Sequence, residues 1–135
     1  MRRAVLDPGV FVSALINPAG SPARLVAEVR RGELDSVASP LLLVELEGVL
    51  RREKFRRYAS LQAVSNYLEV VRRISIYVRD PEGPAPLRSA DPKDDYLIAL
   101  AHAQSAVLVS GDKHLLELGG GAPILAPVDL LAAAP

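Results

Sequence analysis

Four acidic side chains stand where solvated carboxylates are seldom placed: Asp7, Glu45, Asp94 and Asp112. Most Asp and Glu residues belong to wetted faces, so the informative ones are those turned toward apolar stripes or set at strand ends. At about 100° per residue, Asp94 shares a helical face with Leu97, Ile98 and Ala101, whereas Asp95 points toward Ala99 and His102. Glu45 has Leu41, Leu42 and Val49 as helical neighbours, while Glu47 lies between Leu43 and Arg51 and is spaced to pair with that arginine at i+4. Asp7 and Asp112 follow the last apolar residue of a short strand-like run, and in open α/β sheets the functional crevice lies outside the carboxyl ends of the strands. Each residue alone also has an ordinary role, as a helix cap, a stripe margin or a turn. Gathered on one rim, the four would repel one another unless a cation neutralised them. A set of oxygen ligands, with no cysteine in the chain and no required histidine, selects a hard ion such as Mg²⁺ or Mn²⁺. Such an ion binds beside substrate phosphates, acidifies a bound water and stabilises charge on phosphoryl oxygens, which is the chemistry of phosphodiester hydrolysis.

The elements that must position these residues can be read from the apolar pattern. Residues 3–6 form a run that stops at Asp7-Pro8-Gly9, and Val10 to Ile16 fits a short helix. Ser21-Pro22 reads as an N-cap with proline after it, opening a helix that ends at Gly32. Strand-like 35–38 leads to Ser39-Pro40 and a helix to about Arg52. A helix from about Ser60 to Arg73 precedes a strand over 74–78, and 79–91 reads as a surface loop. Asp91-Pro92 caps a helix to about Gln104, followed by a strand at 106–109 and a short helix over 113–118. Gly119-Gly120-Gly121 closes that helix, and a last strand at 123–126 leads to a terminal helix over 127–133. Short, nearly continuous apolar strands alternating with helices predict an α/β/α sandwich around a parallel sheet of four to five strands.

The 135 residues suit one domain, taken as 1–135. The absence of cysteine excludes disulfides, thiolate metal sites and cysteine nucleophiles, and two histidines are too few for a histidine-built zinc site. No window approaches the roughly 18 consecutive apolar residues of a membrane span, and the N-terminal run is a poor secretion signal, so a cytoplasmic protein is expected. The formal charge is zero, but residues 24–79 hold eleven basic against seven acidic side chains, whereas 80–135 hold three against eight. The neutral sum therefore conceals a basic middle and an acidic end. Gly9, two residues after Asp7, removes the second aspartate that a haloacid-dehalogenase-like phosphatase needs, and Asp7-Pro8-Gly9-Val10 lacks the glycine pattern of a nucleotide-binding turn.

The order of Asp7, then Ser39-Pro40 with Glu45, then Asp91-Pro92-Lys93-Asp94-Asp95 with Leu97, then Val109-Ser110-Gly111-Asp112-Lys113, resembles the PIN domain. The likeness is to the bacterial and archaeal PIN proteins that act as toxin components, and it runs through nearly the whole chain. It implies a parallel α/β sandwich, Mg²⁺- or Mn²⁺-dependent endoribonuclease activity, homodimerisation and inhibition by a cognate antitoxin. The family's acidic quartet falls on Asp7, Glu45, Asp94 and Asp112, with Asp7, Asp94 and Asp112 as metal ligands. Asp95 is an accessory, and Ser110 stands where the family often has a threonine that orients a carboxylate or water. After the first aspartate the family usually continues Thr-Asn, but this chain has Pro8-Gly9. Loss of those side-chain hydrogen bonds would weaken metal affinity or activity ~10–100-fold. The competing reading is thus a PIN-like module that binds RNA or a partner protein without cleaving. For an RNA substrate, Arg51, Arg52, Lys54 and Arg56 offer positive charge, with Phe55 and Tyr58 interleaved as stacking surfaces or as core.

Overall fold

Strands buried on both faces must be apolar almost throughout, and Ala4, Val5, Leu6, Val37, Ala38, Leu108 and Val109 are all essentially inaccessible to solvent. In the computed structural model, which describes residues 2–82, 95–117 and 124–132, these runs become β1 (Arg2–Leu6), β2 (Leu34–Ala38), β3 (Ile76–Tyr77), β4 (Val107–Val109) and β5 (Ile124–Leu125). They form one five-stranded sheet in the order β3-β2-β1-β4-β5, with every pairing parallel. β1 lies at the centre, with Ala4 opposite Ser36 of β2 and Leu6 opposite Val109 of β4.

The helices are α1 (Pro8–Ile16), α2 (Ser21–Arg30), α3 (Pro40–Leu50), α4 (Leu61–Ile74), α5 (Asp95–Ala103), α6 (Lys113–Leu116) and α7 (Pro127–Ala132), with a 3₁₀ turn at Glu53–Phe55. The chain builds outward from β1 to β2 and β3, then crosses back to β4 and β5. The right-handed crossover preference puts the helices between β1 and β3 on one face and α5 on the other. The contacts agree, since α1 packs on α2 and α3, α3 on α4, and α2 on α7, whereas α5 packs on β1 and β4. Phe11, Leu25, Leu42, Leu46, Leu50 and Val64 fill the first interface, and Leu97, Ile98 and Leu100 the second. Each fully buried side chain of this size contributes about 1.5–3 kcal/mol. Tyr67 of α4 ties to the Phe11 carbonyl at 2.7 Å, and Arg2 bridges Glu28 of α2 and the Leu130 carbonyl of α7.

Three local expectations need correction. Gly20, in extended conformation, is the N-cap of α2, so Ser21 and Pro22 already lie within the helix. Ser39 does occupy the N-cap of α3, but its hydroxyl makes no capping bond, and the Asp80 carboxylate accepts from the Leu41 N–H instead. The third strand shortens to Ile76–Tyr77 because only these residues pair with Val37 and Ala38. The Asp91-Pro92 cap, most of the 79–91 loop and Gly119-Gly120-Gly121 lie outside the described residues. No described helix is long and apolar enough to cross a membrane.

Candidate metal and catalytic site

The reversal of strand order falls between β1 and β4, so the crevice above their carboxyl ends is the topological switch point at which open α/β sheets bind ligands. β1 delivers Asp7 there as the N-cap of α1, and the Asp7 N–H donates to the Val109 carbonyl of β4 at 2.9 Å. Asp7 Oδ1 accepts the Gly9 N–H at 2.6 Å, and Oδ2 accepts the Ser110 hydroxyl at 2.7 Å. Ser110 is wholly buried, and its oxygen in turn accepts the Asp112 N–H at 2.9 Å. One hydroxyl therefore links the two strand-end aspartates. Glycine suits position 9 because a Cβ there would lie 3.2 Å from Asp7 Oδ1. Beside Pro8-Gly9, the backbone N–H of residue 9 and the hydroxyl of residue 110 hold the carboxylate.

A cavity of about 560 Å³ opens at this rim, lined by Asp7, Gly9, Glu45, Val49, Gly111 and Asp112 among others. Glu45 enters it from the second turn of α3, half-buried, with Oε1 accepting the Tyr96 hydroxyl of α5 at 2.9 Å. Three of the four expected carboxylates thus share one cavity. Asp94 lies outside the described residues, immediately before the first described residue of α5, whose Leu97, Ile98 and Ala101 are buried as its expected stripe requires. Asp95 is half-buried in the first turn of that helix. Tyr96 had no place in the sequence reading. The signal available was a polar-tipped aromatic one residue after the Asp94-Asp95 pair, since a partly buried tyrosine hydroxyl usually finds a partner.

Burial is the main force on Asp7 and pushes its carboxyl above the ordinary value. The Ser110 and Gly9 bonds pull it back, and the negative charge of Asp112 raises it again. Such a carboxylate pair is relieved by a positive charge placed between its members. No trio of acidic or histidine side chains among the described residues is already drawn into a metal cage. Their donor chemistry nevertheless fits a hard divalent cation, since every side chain of the pair and of Glu45 offers oxygen.

The basic stretch divides by environment. Arg51 donates to Glu47 at 2.7 Å, as its i+4 spacing suggested, and to Ser65 at 3.1 Å, which holds α3 to α4. Arg56 is directed inward onto the Leu50 and Arg52 carbonyls. Arg52 and Lys54 are exposed, with Lys54 over the ring of Phe55 at 5.2 Å. Phe55 is core, whereas Tyr58 is about half exposed.

Comparison with known proteins places these features in a family. Residues 3–114 match the PIN domain family. The uncharacterized protein MJ1680 of Methanocaldococcus jannaschii is 27% identical over 117 residues, covering 86% of this chain and 74% of that protein. The crystal structure of PAE2754 from Pyrobaculum aerophilum superposes with a TM-score of 0.62 at 23% identity, over 98% of this chain and 91% of the other. The structure of VapBC2 from Rickettsia felis, bound to a DNA fragment from their promoter, gives a TM-score of 0.61 at 15% identity, over 91% and 96%.

Proposed function

This chain belongs to the PIN domain family, whose members are typically metal-dependent nucleases, and we propose that it is a Mg²⁺- or Mn²⁺-dependent endoribonuclease, the toxin of a toxin–antitoxin pair. The observation that carries the reading is the grip on Asp7. A partly desolvated carboxylate at the switch point is fixed through both oxygens, by the Gly9 N–H and the Ser110 hydroxyl, in a cavity it shares with Glu45 and Asp112. The Gly9 bond is the ordinary cap of α1, but the buried Ser110 hydroxyl on the second oxygen goes beyond capping and orients the carboxylate as a ligand or catalytic group requires. The competing reading, a module that binds RNA or a partner protein without cleaving, draws its support from Pro8-Gly9, and metal-dependent cleavage is the result that separates the two.

In this proposal Asp7, Asp94 and Asp112 hold the ion, with Asp95 as an accessory. The ion would supply an acidified water and neutralise charge on the phosphoryl oxygens. Ser110 opposes the upward pull of burial on Asp7, keeps its carboxylate turned, and links it to the Asp112 N–H. Glu45 faces the same cavity from α3 and positions the attacking water. The apolar wall formed by Val10, Val12 and Val49 limits the solvent reaching these groups. RNA phosphates reach the rim along the end of α3, where Arg52 and Lys54 remain exposed. Arg51 and Arg56 contribute through their positive charge while they hold α3 in place.

Purified protein should cleave RNA with added Mn²⁺ or Mg²⁺ and stop with EDTA, and Asp7→Asn and Asp94→Asn should each abolish the cleavage. Undiminished cleavage by Asp94→Asn would remove it from the site. Absence of any metal-dependent cleavage would overturn the enzymatic reading. Relief of the toxicity of the expressed protein by a co-expressed small protein that copurifies with it tests for the antitoxin, and light scattering tests for the homodimer.

A further inference from the structure

Asp7 and Asp112 are placed by the strands they follow, but Glu45 reaches the cavity from the second turn of a helix. Its side chain has three rotatable bonds, so the backbone of α3 leaves the direction of the carboxylate open. One hold on it comes from the other side of the sheet. The Tyr96 hydroxyl donates to Glu45 Oε1 at 2.9 Å, and the Tyr96 ring packs against the core. α5, which carries Tyr96, rests on β1 and β4, whereas α3 rests on α1 and α4. The bond therefore joins the two helical layers across the rim where the strand order reverses.

A phenol with two torsions, its ring half-buried against the core, is better located than the flexible carboxylate it contacts. The hydroxyl donates to an ionisable acceptor, the stronger class of hydrogen bond, and takes one of the roughly four acceptor positions of the carboxylate. Tyr96 is not among the described residues that line the cavity, so it acts from behind Glu45.

We propose that Tyr96 is a positioning residue that fixes the Glu45 carboxylate in the cavity shared with Asp7 and Asp112. Its catalytic consequence rests on the ribonuclease reading, whereas the grip itself does not. The test compares Tyr96→Phe, Glu45→Ala and the double variant in the full chain. Tyr96→Phe should lower kcat for RNA cleavage roughly 10- to 100-fold, because small misplacements of a catalytic group cost that much. KM and the Mn²⁺ dissociation constant, measured by calorimetry, should stay within about twofold, and the rate effect should vanish in the Glu45→Ala background. An unchanged kcat, or an equal loss in both backgrounds, overturns the proposal.

Chemical unfolding of the same four proteins supplies a readout independent of cleavage. The two substitutions should be coupled by roughly tenfold in the unfolding equilibrium constant. Absence of coupling overturns the grip whatever the activity. If the wild-type protein binds Mn²⁺ without cleaving RNA while the coupling is intact, the ribonuclease reading falls and the positioning of Glu45 stands.

Discussion

Replacing Ser110 with alanine should separate the support of the proposed metal site from the site itself. The substitution removes a hydroxyl that donates to Asp7 Oδ2 at 2.7 Å and accepts the Asp112 N–H at 2.9 Å. Ser110 is fully buried, so water does not readily replace either bond. A hydrogen bond to a charged acceptor is worth about 1.5–3 kcal/mol net, which makes about 2 kcal/mol a reasonable cost for the loss. With an unfolding entropy of about 2.1 cal/mol/K per residue over 135 residues, that corresponds to a melting temperature lower by roughly 7 °C. Loss of a group that orients a ligand also weakens metal binding ~10–100-fold. Calorimetric titration with Mn²⁺ and thermal unfolding without metal measure the two effects separately. Ser110→Thr retains the hydroxyl and should restore the affinity. If Ser110→Ala binds Mn²⁺ like the wild type and melts within a degree of it, the bridge between the aspartates has no energetic meaning and the reasoning fails.

Three further outcomes follow from the same geometry. Because burial raises the Asp7 carboxyl, the metal-free folded state binds its proton more readily than the unfolded chain does, so the charge on Asp7 costs stability at neutral pH and the cost fades as pH falls through the raised value. The melting temperature of metal-free wild type should accordingly gain on that of Asp7→Asn between pH 8 and 4, and a constant difference would contradict the burial argument. Gly9→Ala improves helix propensity by up to about 1 kcal/mol but sets a Cβ 3.2 Å from Asp7 Oδ1, so Mn²⁺ affinity should fall severalfold with melting temperature unchanged or higher. Charge reversal of Arg52 and Lys54 should weaken RNA binding and reduce its salt slope by about two with little loss of stability, whereas Arg56→Glu should mainly destabilise, since Arg56 satisfies the Leu50 and Arg52 carbonyls. Filter binding across a salt series distinguishes these two results.

The features legible in the sequence were those with a local cause. The apolar run before Asp7 marked β1 because a buried parallel strand has little room for polar residues. The spacing of Val64, Tyr67, Leu68 and Val71 marked α4, and Glu47 and Arg51 were spaced to pair. The Ser21-Pro22 signal misled by one position, since the conformation of Gly20 decides where α2 begins, and a backbone dihedral leaves little trace in a serine-proline pair. The basic stretch was ambiguous for a similar reason. Charge density is local, but whether a guanidinium meets solvent or a buried carbonyl depends on the turn at residues 53–55 that folds Arg56 back on α3.

By itself the sequence determined the fold class and the kind of chemistry available. Alternating strands and helices leave a parallel sandwich as the economical way to bury the apolar runs, and a set of acids without cysteine leaves hard cations as the ions it would hold. Tertiary structure decided which of those acids meet and what holds them. Ser110 reaches Asp7 across 103 residues of chain, and Tyr96 reaches Glu45 across 51. Such pairs are created when the strand order brings β4 beside β1 and places α5 across the sheet from α3. Periodicity along the chain reports which face of an element is buried, but only the order in which the strands assemble sets which distant hydroxyl comes to lie against which carboxylate.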